Sequence, residues 1–279
     1  MRKIILLAAC LLTLAACSKE QISSRPCEFD VKITDLKGDK IRFTITPSNP
    51  EAYYAYMLEP DYWEPYHLTG DALLQREMEQ LITNFELFDL DKNPNVDFAD
   101  AFCYQDQADL VQLFLDRQTN YKLVVIQVNP WKKEGIGTPK EVYFRTPDVE
   151  FVDLHFQLTF DGDVLHIHPS DPDAPYYWEY EEVEIVDNEY NSPIVYYHTI
   201  VDMYEQYGFM DSLVSRGDND WVFPLDDKSL PAGKECYLIL ASYRDGEINS
   251  DETIVKFIWS PGESALTEWI WPSENDEYE

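Results

Sequence analysis

A chain of 279 residues with 45% hydrophobic and 14% aromatic residues has apolar material for two domains of ordinary size, which excludes a generally disordered polypeptide. The formal net charge of −32 excludes nucleic acid as a partner and disfavours direct contact with anionic lipid, because such a surface repels phosphate. Gly-x-Ser-x-Gly, His-Glu-x-x-His and glycine-rich phosphate loops are missing, and only 10 glycines are present, so the sequence points to no enzyme.

Met1-Arg-Lys3, followed by an apolar run from Ile4 to Ala16, has the charge and length of a secretion signal and is too short to persist as a membrane span. The run ends in Leu14-Ala-Ala-Cys17, which resembles the lipobox of bacterial lipoproteins. That resemblance implies removal of residues 1–16 and lipidation of Cys17, which becomes the membrane anchor. Each buried methylene of an acyl chain contributes roughly 0.8 kcal/mol, so two or three chains hold firmly and the membrane is met through the lipid alone. Ser18 after the lipidated cysteine implies the outer membrane, and the cell surface is the expected location. Residues 17–26 are polar and aperiodic, a tether. Of the five cysteines, Cys27, Cys103 and Cys236 remain in the body; Cys27 and Cys103 could pair, whereas Cys236 in a strand pattern is expected as a buried thiol.

An internal repeat organises the rest. Ile45-Thr-Pro-Ser-Asn-Pro-Glu-Ala-Tyr-Tyr54 returns as Ile167-His-Pro-Ser-Asp-Pro-Asp-Ala-Pro-Tyr-Tyr177, with Pro175 read as an extra residue. Alternating runs precede each copy: Phe29 to Ile33 and Lys40 to Ile45 around Gly38, then Leu154 to Leu158 and Val164 to Ile167 around Gly162. Such alternation predicts half-buried antiparallel strands. Next comes an insertion with helical periodicity. In the first copy Leu74, Met78, Leu81, Phe85 and Phe88 form its stripe. In the second, Ser192-Pro193 opens a helix whose stripe is Tyr197, Ile200, Val201 and Tyr204, before Gly208. Each stripe is expected to cover a sheet edge or the end of a sandwich. Both copies then share Phe98-Ala-Asp-Ala-Phe102 and Phe209-Met-Asp-Ser-Leu213 and close on strands at Lys140 to Phe144 and Thr253 to Phe257.

Leu115 followed by Tyr121 at the opening of a strand resembles the tyrosine corner of fibronectin type III and immunoglobulin-like sandwiches. The second copy has Leu230 and then Cys236 in these places, with neighbouring Tyr237 the candidate substitute. Over roughly residues 27 to 260 the order of features resembles tandem fibronectin type III-like repeats with helical inserts found in surface lipoproteins of Bacteroidota. The resemblance implies a mainly β fold with helical insertions, two tandem fibronectin-III/Ig-like β-sandwiches. Module one spans 27–147 and module two 148–260, followed by an acidic aromatic tail, 261–279.

Candidate chemistry is sparse. Asp89, Asp91, Asn93, Asp97 and Asp100 place oxygens at the spacing of a calcium loop, although Pro94 stands where such a loop needs glycine. An acidic, solvated loop following a helix is the favoured account of them. His166 and His168 point to one face of a strand, but their counterparts Thr44 and Thr46 are ordinary strand residues, which argues against zinc. Exposed aromatic side chains are the better binding candidates: Tyr62, Trp63 and Tyr66 before the first helix, Trp131 between the last two strands of module one, and Trp269 and Trp271 in the tail. They either plug the sandwich ends or present flat faces to a protein or glycan partner. Two roles follow, a non-catalytic interaction or scaffold unit and a carbohydrate-binding accessory of a glycan-uptake system. A hydrolase with an unrecognised site is the third possibility, since carboxylate pairs are guaranteed among 53 acidic residues.

Overall fold

A computed structural model describes residues 25–223, 232–260 and 262–271, so the signal segment, Cys17, most of the tether, Leu230 and the end of the tail lie outside the described residues. The chain forms two compact units, Met1–Asp148 and Val149–Glu279.

The first unit runs β1 (Phe29–Leu36), β2 (Lys40–Pro47), β3 (Tyr53–Pro60), α1 (Gly70–Leu87), α2 (Phe98–Phe102), β4 (Ala108–Leu113), β5 (Asn120–Asn129) and β6 (Glu134–Arg145). One sheet has the order β1-β2-β4 and the other β3-β5-β6, with antiparallel pairs throughout. Alternation along β2 sends Ile41, Phe43 and Ile45 inward to meet Tyr121, Leu123 and Val125 of β5. Strand β5 does not alternate. It is buried from Tyr121 to Asn129, and the side chains on its other face, Val124, Ile126 and Val128, pack under α1 against Leu73, Met78, Leu81 and Phe85.

The second unit repeats this arrangement: β7 (Phe156–Asp161), β8 (Val164–Pro169), β9 (Tyr176–Glu182), α3 (Val183–Glu189), α4 (Pro193–Gln206), α5 (Met210–Leu213), β10 (Asn219–Val222), β11 (Glu235–Arg244), the short β12 (Glu247–Ile248) and β13 (Thr253–Ile258). Strands β7, β8 and β10 form one sheet; β9, β11 and β13 form the body of the other. Cys236, Leu238 and Leu240 of β11 face the sandwich, and Tyr237, Ile239 and Ala241 face the helices. The tail adds β14 (Ala265–Trp271) to the free edge of β13 and covers backbone groups that would otherwise invite pairing with another chain.

The helical inserts therefore lie on the outer face of the β3-β5-β6 sheet and its counterpart, rather than on a sheet edge or the sandwich end. The stripe in α1 holds at Met78, Leu81 and Phe85 and differs from the expected one at its two ends. Leu73 is buried, whereas Phe88 lies just past the helix and is 65% exposed. Close approach of α1 is possible because β6 has Gly135 beneath it; a Cβ there would fall 2.5 Å from Leu74 Cδ1.

Strand register corrects the alignment of the repeat. Tyr54 sits opposite Gln127 and Tyr176 opposite Ser242. Both phenols are fully buried and donate to a backbone carbonyl, of Asp106 and of Gly217, at 2.9 Å in each case. Tyr54 and Tyr176 are thus equivalents, Pro175 matches Tyr53 with nothing inserted, and Tyr177 takes the helix-facing place of Ala55.

The corner expected at Tyr121 is formed: the backbone N–H of Asp116 donates to its hydroxyl at 2.7 Å. Tyr237 does not take over this role in the second unit. Its side chain faces the helices and its hydroxyl donates to Asp187 at 3.2 Å, while the buried thiol of Cys236 occupies the corner. Cys27 and Cys103 are free thiols rather than a disulfide. A polar group also lies beneath α1. Glu59, Glu77 and Lys122 are each at most 1% exposed. The Lys122 ammonium donates to the carbonyls of Pro65 and Leu68 at 2.9 Å each. Neither carboxylate has a donor in reach, so a single proton held between them turns one into the donor for the other. Burial, reinforced by the Glu59 charge, pushes Glu77 up to about 7.

Two outcomes are expected. Tyr121→Phe leaves the Asp116 N–H without its partner and lowers the unfolding free energy of the first unit by about 1 kcal/mol, measured by urea denaturation. Because the folded value of Glu77 is raised from 4.5 to about 7, its stabilising contribution is complete below the unfolded value and is lost as pH rises through about 7. Glu77→Gln should flatten that decline and raise the unfolding free energy at pH 8 by roughly 2 kcal/mol. An unchanged pH profile between 5 and 8 contradicts the shared proton.

Candidate functional site

Strand β3 is an edge of one sheet and β4 an edge of the other, so the first sandwich is open on the side where these two strands lie. Into that opening run the segment after β3, which carries Tyr62 and Trp63, and the segment after α2, which carries Tyr104. The result is a cleft of about 580 Å³ whose walls include Tyr56, Tyr62, Trp63, Phe102, Tyr104 and Phe114, with Gln112 and Asp116 as its polar side chains.

Local structure fixes these side chains. Tyr104 is tied to β3 by paired backbone hydrogen bonds with Tyr54, 3.0 and 2.8 Å long, and its ring stacks on that of Tyr54 at 5.9 Å. Tyr62 donates its hydroxyl to Asp116 at 3.0 Å, a bond that raises its pKa. Burial first, and then the neighbouring Tyr104, push Tyr56 up to about 12. Both phenols are therefore neutral donors at physiological pH. Phe114 is held at φ 61°, a left-handed conformation that an aromatic residue rarely adopts, and it is 48% exposed on the cleft wall.

Of the six aromatic residues expected from the sequence, the cleft gathers Tyr62 and Trp63. Tyr66 instead packs edge-on to Tyr143 and lies under the Lys122 ammonium, 5.6 Å from its ring. Trp131 stands apart, 54% exposed and edge-on to Tyr53. Trp269 packs on the sandwich core of the second unit as a plug, and Trp271, opposite Ile254, is 48% exposed. Tyr56, Tyr104 and Phe114 were not among the expected residues; Tyr104 could have been found from its place directly after the Phe98 to Phe102 signature.

The proposed calcium oxygens do not converge. Asp89 pairs with Lys92, Asn93 accepts from the backbone of Asn95 at 3.0 Å, and Asp97 caps α2 by accepting from the Asp100 N–H at 2.8 Å. Asp91 is exposed. Among the described residues no group of three or more His, Cys, Asp or Glu is placed to hold a metal ion. His166 and His168 instead pair across the strand with Asp220 at 2.7 Å and Asp218 at 3.1 Å. Thr44 does the same with Asp109 at 2.6 Å in the first unit.

In the second unit the corresponding described positions carry larger side chains. Phe223, which stands where Gln112 stands, is 1% exposed, and Trp221 meets Trp178 edge-on at 5.2 Å. The strand order is that of a seven-strand sandwich without the strand that usually follows β3, its place taken by the helical insert. Both units are fibronectin type III-like sandwiches. No protein-family model matches the chain, and no curated protein matches it. Among solved structures, a two fibronectin type III domain segment from chicken tenascin is similar at 9% identity, with 84% of this chain and 100% of that chain covered and a TM-score of 0.24. So loose an overlay carries no weight, and the fold rests on strand order and register.

Phe114→Gly relieves the left-handed backbone while removing a wall of the cleft. The variant is expected to unfold within about 1 kcal/mol of the parent yet to lose ligand affinity, which calorimetry of the folded protein checks.

Proposed function

We propose that this chain is a non-catalytic lipoprotein of the outer membrane, held by Cys17 and displayed at the cell surface, that acts as an interaction unit. The fibronectin type III-like fold is compatible with that role, and the Leu14-Ala-Ala-Cys17 segment supports the anchor. The observation that carries the reading is the aromatic cleft of the first unit, whose Gln112 position is taken in the second unit by the buried Phe223. Residues that differ between two copies of one scaffold are where a specific task resides.

The chemistry of the cleft favours a saccharide as its occupant. Ring faces of Trp63, Tyr104 and Phe114 offer flat apolar surface to a pyranose, and Gln112, Asp116 and the neutral phenols supply donors and acceptors for its hydroxyls. The overall charge of −32 disfavours sulfated or uronic sugars, which leaves neutral glycans as the class. This is the carbohydrate-binding accessory role.

A neutral-glycan array followed by titration calorimetry tests the reading. A hit whose affinity falls at least tenfold in Trp63→Ala, with no change in Trp131→Ala, is the expected result. No hit on the array, or equal effects of the two substitutions, sinks the saccharide reading.

A further inference from the structure

The two units differ in a second place, on the helix-covered face. In the first unit Glu59 of β3 lies directly opposite Lys122 of β5, so a buried carboxylate has a buried ammonium on the adjoining strand. In the second unit the same register position holds Glu181 opposite Tyr237. The acid is retained and the cation is gone. A further carboxylate, Glu179, replaces Met57 on that face.

Where the first unit packs side chains against its buried ions, the second has a cavity of about 320 Å³ between β9, α3 and α4, lined among others by Glu179, Glu181, Tyr190, Tyr196 and Tyr204, with Glu189 at an exposed position on its border. Glu179 accepts from the Tyr177 hydroxyl and from the Tyr180 N–H. One oxygen of Glu181 accepts from the Glu182 N–H at 2.8 Å; the other accepts no hydrogen bond among the described residues. Tyr196 is 5% exposed, and among the described residues its hydroxyl has no hydrogen-bond partner. Lys234 pairs with Glu182 and Glu184, and Lys256, 5.6 Å from the ring centre of Tyr237, pairs with Glu235 and Glu268. Burial raises both Glu179 and Glu181, and no cation lowers either, unlike Glu59, which Arg76 and Lys122 pull down.

We infer that this cavity is a binding site for an alkylammonium ion, which supplies to this face the positive charge that Lys122 places opposite Glu59 in the first unit. Carboxylates of Glu179 and Glu181 accept from the ammonium, and the tyrosine rings contact the methylene stem and the charge. In the first unit the Lys122 ammonium stands 5.6 Å from the ring centre of Tyr66 and 3.9 Å from Glu141 and donates to two backbone carbonyls, so a cation on this face is there supplied from within the chain. The source of the ammonium is either a free diamine or a lysine side chain presented on a peptide.

The test uses the full chain in calorimetry at pH 8 with three probes: cadaverine, the capped peptide acetyl-Gly-Lys-Gly-amide, and 1,5-pentanediol as the uncharged analogue of cadaverine. Binding of either amine at least tenfold tighter than the diol supports the site, and the tighter of the two amines names the source. Glu181→Gln should weaken the bound amine at least tenfold, while Asp91→Asn, an equal loss of charge in the other unit, should not. Tyr237→Lys restores the residue found in the first unit and should abolish amine binding in a chain that still melts cooperatively. Absence of binding by both amines, parity between amine and diol, or equal losses in the Glu181 and Asp91 variants overturns the inference, the last by reducing it to general attraction toward an acidic surface.

Discussion

The structure depends on burying one strand in each unit on both faces. An antiparallel sheet commonly leaves one side to water, but β5 and β11 carry apolar side chains on both, so each sheet demands a cover on the face opposite its partner sheet. The insert helices are that cover. Their position follows from this demand more than from their own propensity: α1 has a polar sequence overall, and its buried residues meet Val124, Ile126 and Val128. Because the covered face is dry, any ionisable group placed on it must find its counter-charge or its proton locally, and β3 and β9 both end with carboxylates there.

The two copies meet that requirement differently, and the difference separates their chemistry. The first neutralises its acids internally, with Lys122 and a proton shared between Glu59 and Glu77, and leaves its sandwich open between β3 and β4. The second places Phe223, Trp178 and Trp221 at the corresponding described positions and has space under its helices. Backbone register is the same in both, down to the phenols of Tyr54 and Tyr176 and their carbonyl acceptors. Side chains differ on both sides of the sheet while hydrogen bonding of the scaffold stays in place. That pattern suits packed interiors, where a change of volume is absorbed locally and the main chain is held by its ladder.

Much of the scaffold was legible in the sequence because it rests on period-two alternation and on the repeat. Strands β1, β2, β7 and β8 follow from alternation, and the corner at Tyr121 from its resemblance to the tyrosine corner of fibronectin type III sandwiches. The placement of the helices was also written there and was missed. Tyr121-Lys-Leu-Val-Val-Ile126 and Tyr237-Leu-Ile-Leu-Ala241 are unbroken runs in an otherwise alternating protein, the mark of strands covered on both sides. The cleft was legible only in part. Tyr62 and Trp63 stand out as clustered aromatic residues in a loop, but Tyr56 and Tyr104 come together through a bridge between β3 and a residue fifty positions later, which no local pattern reports. The tyrosine pair misled because two adjacent tyrosines invite a match of identities, whereas register depends on which phenol reaches a carbonyl.

Charge shapes the two sites in unlike ways. Asp116 at the cleft is exposed, so its field is screened by water and salt, and what it offers a ligand is a directed acceptor. Glu179 and Glu181 are half-buried, which raises their pKa values, and a partly desolvated carboxylate exerts a field less screened than that of an exposed one. A neutral ring-shaped ligand gains from the first arrangement and nothing from the second. A small cation gains most from the second, because its charge replaces the proton that burial otherwise favours on these carboxyls. The two proposed classes of ligand would thus be held apart by the depth at which the carboxylates of one acidic chain are placed.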